Sequence, residues 1–303
     1  GVIGVTSIWQ NIGELTNTGF ETTLSADIIK NKDLTWTFDA NLSTNTNKIK
    51  KLYSGRDQII EGDGIAGSTN TLLRPGLSAD TYYLREWAGV DPDTGAPQWL
   101  TTDANGDRVI TKNYAKANQV ALDKRATPNV FGSFSTTLMY KGFDLNAVFG
   151  YSLGAYIYNY SRQEYDSDGA YTDRNQFSLQ KGWKRWKQKG DIATHPVAAY
   201  NNPSNANKAS TRYLESADFL KLRSVTLGYN FNLKSQIVKA LRVYVSGENL
   251  FCITDYSGVD PELPAADGGR DASGERSTAL SISTGAGVYP SVRKFMLGVN
   301  VTF

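Results

Sequence analysis

The chain of 303 residues has one cysteine, one histidine and almost no net charge. Cys252 standing alone excludes an internal disulfide framework and any multi-cysteine metal site. His195 standing alone excludes a histidine cluster. A formal charge of +2 is too small for the broad basic face that nucleic acid requires. No run of about 18 apolar residues occurs, so a spanning helix is excluded. A membrane barrel is not, because its strands turn only alternate side chains to lipid. No signal peptide opens the chain, and Gly1 stands where Met would, which reads as a processed start or a piece of something longer.

Aromatic residues and glycine are plentiful, with 17 Tyr, 6 Trp and 28 Gly. That mixture suits many strands joined by flexible connections. Apolar residues alternate with polar ones over long stretches, the period of a strand. Over 18–29, Phe20, Leu24, Ala26 and Ile28 oppose Glu21, Thr23, Ser25 and Asp27. Over 34–46, Leu34, Trp36, Phe38, Ala40 and Leu42 oppose Thr35, Thr37, Asp39, Asn41 and Ser43. The same pattern predicts strands at 130–140, 143–152, 219–231, 241–251 and 292–303. Each is near the ~9–11 residues a tilted strand needs to cross a bilayer, where globular strands average ~5–6.

The connections fall into two classes. Turns at 30–33, 141–142 and 232–240 are short, whereas 47–81, 102–128, 153–211 and 252–290 are long and polar. Short turns on one side and long loops on the other is the outer-membrane arrangement, with the short side periplasmic. The segment 82–101 reads either as another membrane hairpin or as a hairpin standing in an outer loop. Aromatics gather at the strand ends: Tyr140, Phe143, Tyr229, Phe231 and Phe303 beside the short turns, and Phe20, Tyr151, Phe219 and Phe251 opposite. This predicts two girdles on the apolar face. The first and last strands run the same way, which predicts an odd count of seven or nine. Bacterial single-chain barrels close with an even number, so the expected fold is all-β, a transmembrane antiparallel β-barrel segment rather than a closed barrel.

Several ordered fragments resemble the SusC/RagA family of TonB-dependent transporters of Bacteroidetes. They are Asn11–Glu21 (N-x-G-x-x-x-N-x-G-x-E), Trp87–Gly95 with its D-P-x-T-G, and Trp186 followed by Gly190-Asp191 and Pro196, with Val197 in place of the usual Arg. Ser210–Glu215, Phe219–Arg223, Leu227-Gly228-Tyr229, Asn249-Leu250-Phe251, Tyr256-Ser257-Gly258 and Asp260-Pro261-Glu262 follow in family order. The terminal Phe303 is similar to the signal read by the barrel-assembly machinery. The resemblance implies the C-terminal seven to nine strands of a barrel of about 22, residues 1–303 being one barrel portion with long extracellular loops. It implies a plug and TonB box upstream, a SusD-like surface lipoprotein as partner, TonB as energy source, and import of oligosaccharides or peptides across the outer membrane. The C-terminus is then periplasmic. An autonomous porin-like barrel is the alternative that the residues leave open.

No covalent chemistry is expected. Glu164, Asp166, Asp168 and Asp173 share a polar loop with no sign of the pocket an acid–base pair needs. His195, beside Pro196, lacks a triad in view and reads as a loop residue. Asp103–Asp107 resembles the start of a calcium loop but lacks the following glutamate, so a turn is expected and no cofactor. Trp183 and Trp186, in a basic outer-loop stretch, and Tyr171 are the candidate substrate-binding aromatics. The inward polar set Glu21, Asp27, Asp39, Asn41, Asn146 and Asn300 reads as lumen lining.

Overall fold

The computed structural model describes residues 13–62, 70–233, 237–262, 283–284 and 291–303. Seven long antiparallel strands form one sheet in chain order: β1 (Glu21–Lys30), β2 (Leu34–Thr44), β3 (Val130–Tyr140), β4 (Phe143–Leu153), β5 (Phe219–Phe231), β6 (Ala240–Glu248) and β7 (Lys294–Thr302). An eleven-residue strand such as β3 reaches about 36 Å, or about 28 Å across a bilayer at a tilt of about 40°.

Register turns local alternation into two different faces. Ile29, Trp36, Leu138, Leu145, Leu227, Val245 and Leu297 are successive partners, one apolar row across all seven strands. Beside it runs Asp27, Thr37, Thr137, Asn146, Thr226, Ser246 and Met296, polar until its last member; the two rows are one residue apart in every strand but β1, where a register shift makes it two. A one-residue slip would exchange the rows, so the amphipathic pattern itself pins the pairing. The apolar face is bare: Phe295 and Leu297 are 77% and 75% exposed. On that face the indole N–H of Trp36 donates to Thr136 Oγ1 at 2.9 Å, which satisfies a donor that lipid could not.

One sequence expectation fails at β5. The partners step from Val148–Ser224 to Phe149–Leu222, a bulge that leaves two residues opposite one. Above it the faces swap. Phe219, expected in the apolar girdle, instead pairs with Ser152 on the polar face and is buried. Lys221 turns to the same side, opposite Gly150. Alternation cannot reveal the bulge, because Leu220, Leu222 and Val225 give both registers an apolar set.

The segment 82–101 stands outside the wall. Thr81–Arg85 pairs with Gln119–Arg125 and Asn70–Leu73, while Trp87–Val90 and Pro97–Thr102 form a small sheet with Arg108–Thr111. At four to six residues these strands are too short to cross a bilayer, and among the described residues the wall counts seven long strands. The buried core lies among the long connections, where Tyr82, Leu84, Tyr158, Tyr213 and Leu214 pack together. A single-layered wall has no second layer to bury against, so among the described residues the conventional core is supplied by the loops.

Candidate functional site at the polar face and its mouth

The polar face is a lattice of short side chains bonded across strands. Ser25 Oγ donates to Asp39 Oδ1 at 2.6 Å, Asn41 Nδ2 to Ser133 Oγ at 2.6 Å and Asn146 Nδ2 to Thr137 Oγ1 at 2.9 Å. Near the short turns Arg242 grips Asp144 with two donors, Nε at 3.0 Å and Nη2 at 2.5 Å. Asn230 Nδ2 adds a third at 2.7 Å. The expected lumen residues Asp27, Asp39, Asn41 and Asn146 all lie on this face.

At the other end, which we call the mouth, the bulge lets β5 hold a loop foot. Lys221 Nζ donates to Asp260 Oδ2 at 2.7 Å and to Glu262 Oε2 at 3.0 Å, and the Arg223 guanidinium clasps both oxygens of Glu262. Ser291 Oγ also donates to Asp260 Oδ2, at 3.1 Å. Burial alone would raise both carboxyl groups. The Lys221 ammonium on Asp260 and the Arg223 guanidinium on Glu262 outweigh it and hold each below its ordinary range. Beside this clasp opens a cavity of about 550 Å³ lined by Phe131, Tyr156, Phe219, Pro261, Arg223 and Glu262.

The loop between β4 and β5 closes on a buried ionic knot. Arg212 bonds Asp168, and Arg185 Nη1 donates to the other oxygen of Asp168 at 2.6 Å. Arg162 Nη1 donates to Glu215 Oε1 at 2.7 Å, and His195 Nε2 lies 2.7 Å from Asp166 Oδ2. Three arginines thus face three carboxylates. Burial works against the Arg212 charge, but Tyr213, Asp168 and Asp166 outweigh it and raise its pKa. Burial pushes the Tyr213 phenol well up. Burial also opposes ionisation of Asp166, yet the His195 hydrogen bond and nearby arginines hold its carboxyl below the usual range. Carboxylates so paired are ion partners, not a general acid and base.

His195 is therefore more than a loop residue: it is 1% exposed, with Thr194 Oγ1 2.8 Å from its Nδ1. It does lie in a loop, as expected, and only its partner was hidden, because Asp166 and His195 lie 29 positions apart. Glu164 pairs instead with Arg174, and Asp173 stays on the surface. Asp103 accepts from the backbone N–H groups of Asn105 at 2.9 Å and Asp107 at 3.0 Å, the geometry of a turn.

Of the candidate aromatics, Trp183 lies between Arg162, 4.4 Å from its ring, and the His195 ring at 5.0 Å. Trp186 donates its indole N–H to Pro92 O at 2.9 Å and covers Gly95. Tyr171 stays 36% exposed, with the Arg174 guanidinium 4.8 Å from its ring. Phe303 follows β7 and is 72% exposed. Arg212, Lys221 and Arg223 were not singled out for chemistry from the sequence, although each sits inside a fragment that carried the family resemblance. Gly95 has φ +69°, and a Cβ there would enter the Trp186 ring. Gly95→Ala should destabilise the loop module by about 2 kcal/mol. A thermal melt followed by tryptophan fluorescence checks this, and an unchanged midpoint refutes the Trp186 contact.

No family model matches the chain. Over an alignment of 321 positions that takes in 99% of the chain, it is 30% identical to TonB-dependent receptor P3 of Formosa agariphila. Over an alignment of 305 positions that takes in 97% of the chain, it is 28% identical to the TonB-dependent receptor SusC of Bacteroides thetaiotaomicron. The solved structure of the RagAB peptide transporter covers 100% of the chain with a TM-score of 0.79 and 27% identity. The chain belongs to the SusC/RagA family of TonB-dependent receptors. It spans about 30% of the length of those relatives, at 30% of P3, 27% of SusC and 31% of the RagAB chain. Receptors of this family are outer-membrane β-barrels, transporters and not enzymes. The β1–β7 sheet of this SusC/RagA chain is accordingly barrel wall, with its apolar face towards lipid and its polar face towards the lumen.

Proposed function

We propose that the chain forms wall and outer loops of a TonB-dependent importer of nutrients too large for porins, oligosaccharides or peptides. The observation behind this reading is an unbroken apolar row across seven strands beside a neighbouring row that is polar over six of them. Among the described residues, β1 and β7 are each paired on one side only within the wall. Open edges leave amides unsatisfied in hydrocarbon, so further strands should complete the barrel. In this reading the plug and TonB box lie upstream, the short turns and C-terminus are periplasmic, and Phe303 serves the assembly machinery. A SusD-like lipoprotein covers the loop-bearing mouth. Tyr171 has the exposure to stack on cargo, while Trp183 and Trp186 act by holding its loop.

The test is uptake by the full-length receptor in its native outer membrane. Depletion of pooled oligosaccharides and pooled peptides from the medium should require both the receptor gene and TonB. The surface lipoprotein should co-purify with the receptor. A closed, conducting channel formed in planar bilayers by this 33.3 kDa chain alone would replace the importer with an autonomous barrel.

A further inference from the structure

Near the short-turn end, four wall strands meet in one polar-face row: Asp144, Gly228, Tyr244 and Gly298. Large and small residues alternate along it. Arg242 starts two residues nearer the turn, opposite Asn230. It does not project into the lumen. Its guanidinium lies back across Gly228 to reach Asp144, so that a Cβ on Gly228 would stand 2.7 Å from Arg242 Nη2 and 2.7 Å from both Asp144 oxygens. Tyr244 lies across Gly298 in the same way, and a Cβ there would meet its phenol ring. The Arg242 guanidinium sits 4.8 Å from the Tyr244 ring centroid. The two side chains therefore form one layer parallel to the wall, held at one end by a two-donor ion pair and at the other by ring on glycine.

The same device recurs at the mouth, where Arg223 lies over Gly150 with its Nε 2.6 Å from a Cβ position there. Such seats have a physical consequence. Arginine and tyrosine are among the longest side chains, and only a neighbour without a Cβ lets them lie flush with the backbone. A concavity of about 570 Å³ remains open beside the lower layer, lined by Thr35, Thr137, Asn146, Asn230, Asp144 and Arg242. The charge on this layer is internally paired, so it presents a flat, neutral surface.

We propose that Arg242 and Tyr244, seated on Gly228 and Gly298, are specificity-determining residues that set the clearance between the wall and the plug near the short-turn end. Solutes are sorted there by bulk rather than by charge. The proposal rests on the importer reading. Filling a seat lifts a long side chain off the wall and narrows the passage for bulky cargo, leaving small cargo unaffected.

The experiment compares wild type, Gly298→Ala and Gly228→Ala in the full-length receptor in its native membrane. The probes are a pooled peptide digest and a pooled oligosaccharide hydrolysate, with depletion of each length read by mass spectrometry. The amount of receptor in the outer membrane is measured in parallel. Uptake of the longest cargo should fall severalfold, while that of the shortest cargo should stay near the wild-type level. Adding Tyr244→Ala to Gly298→Ala should restore uptake of the longest cargo to at least the wild-type level. A uniform loss at all lengths, no loss, or failure of the second change to restore that uptake overturns the assignment. Should the glycine variants not reach the membrane, Tyr244→Ala alone should shift uptake towards longer cargo, and an unchanged profile overturns it equally. If wild type takes up neither pool, the importer reading itself falls.

Discussion

Asp168→Asn should melt the loop module between β4 and β5 while the wall stays folded, at a cost of about 3–5 kcal/mol. Asp168 is fully buried and accepts from both Arg212 and Arg185. Asparagine keeps the shape and tolerates the φ of +54° at this position, so the change removes charge without adding backbone strain. What remains is Arg212, 2% exposed in its side chain, with Nε and Nη2 making no hydrogen bond and Asp166 no nearer than 3.8 Å. A buried guanidinium deprived of its nearest counter-charge cannot deprotonate to relieve itself, so the loop must open to water. The knot also joins segments distant in the chain, since Asp168 lies 44 positions from Arg212 and Arg162 lies 53 from Glu215. Its loss should therefore be cooperative. Hydrogen exchange would show residues 160–216 exchanging far faster while β2–β4 keep their protection. If protection of 160–216 is unchanged, the knot is not what closes the loop.

Lys221→Met should release the 252–262 foot from the wall. The ammonium is 4% exposed and faces Asp260 at 6%, so removing it strands a buried carboxylate, a loss of about 3 kcal/mol. Methionine fills most of the same volume, which leaves charge as the variable. Nature provides a reporter, because Cys252 is the sole cysteine and its backbone pairs with Lys221. Maleimide labelling of Cys252 at neutral pH should accelerate about tenfold or more, as a locally opened segment does. A labelling rate equal to wild type would refute the clasp. Acid should act in the same direction. Asp260 and Glu262 are held below their ordinary values in the fold, so their contribution is complete above the unfolded carboxylate range near about pH 4. It is lost as pH falls through the depressed folded values. Between about pH 5 and 8 the foot should stay attached.

The wall was legible because its signal is local and periodic. Trp36, Phe38 and Ala40 alternate with Thr37 and Asp39 whatever else the chain does, and strand length and turn length add the bilayer and its two sides. The D-P-x-T-G fragment was visible too, but its partner was not: Trp186 reaches Pro92 from 94 positions away. The 82–101 segment stayed ambiguous because short apolar alternation suits a bilayer hairpin and an outer-loop sheet alike. Phe219 was misplaced by a single bulged residue, and the same bulge turns Lys221 to the polar face, where it anchors the mouth.

Alternation within each strand determined by itself that this chain is an amphipathic β-wall, since side-chain period and hydrophobic burial act within a few residues. Only the tertiary structure decided where its charges meet. Asp166 with His195, Asp168 with Arg212, Lys221 with Asp260 and Arg242 with Asp144 are each joined across 29 to 98 positions. Such pairs are worth forming only once strands and loops have excluded water from around them, and no short stretch of sequence carries that condition.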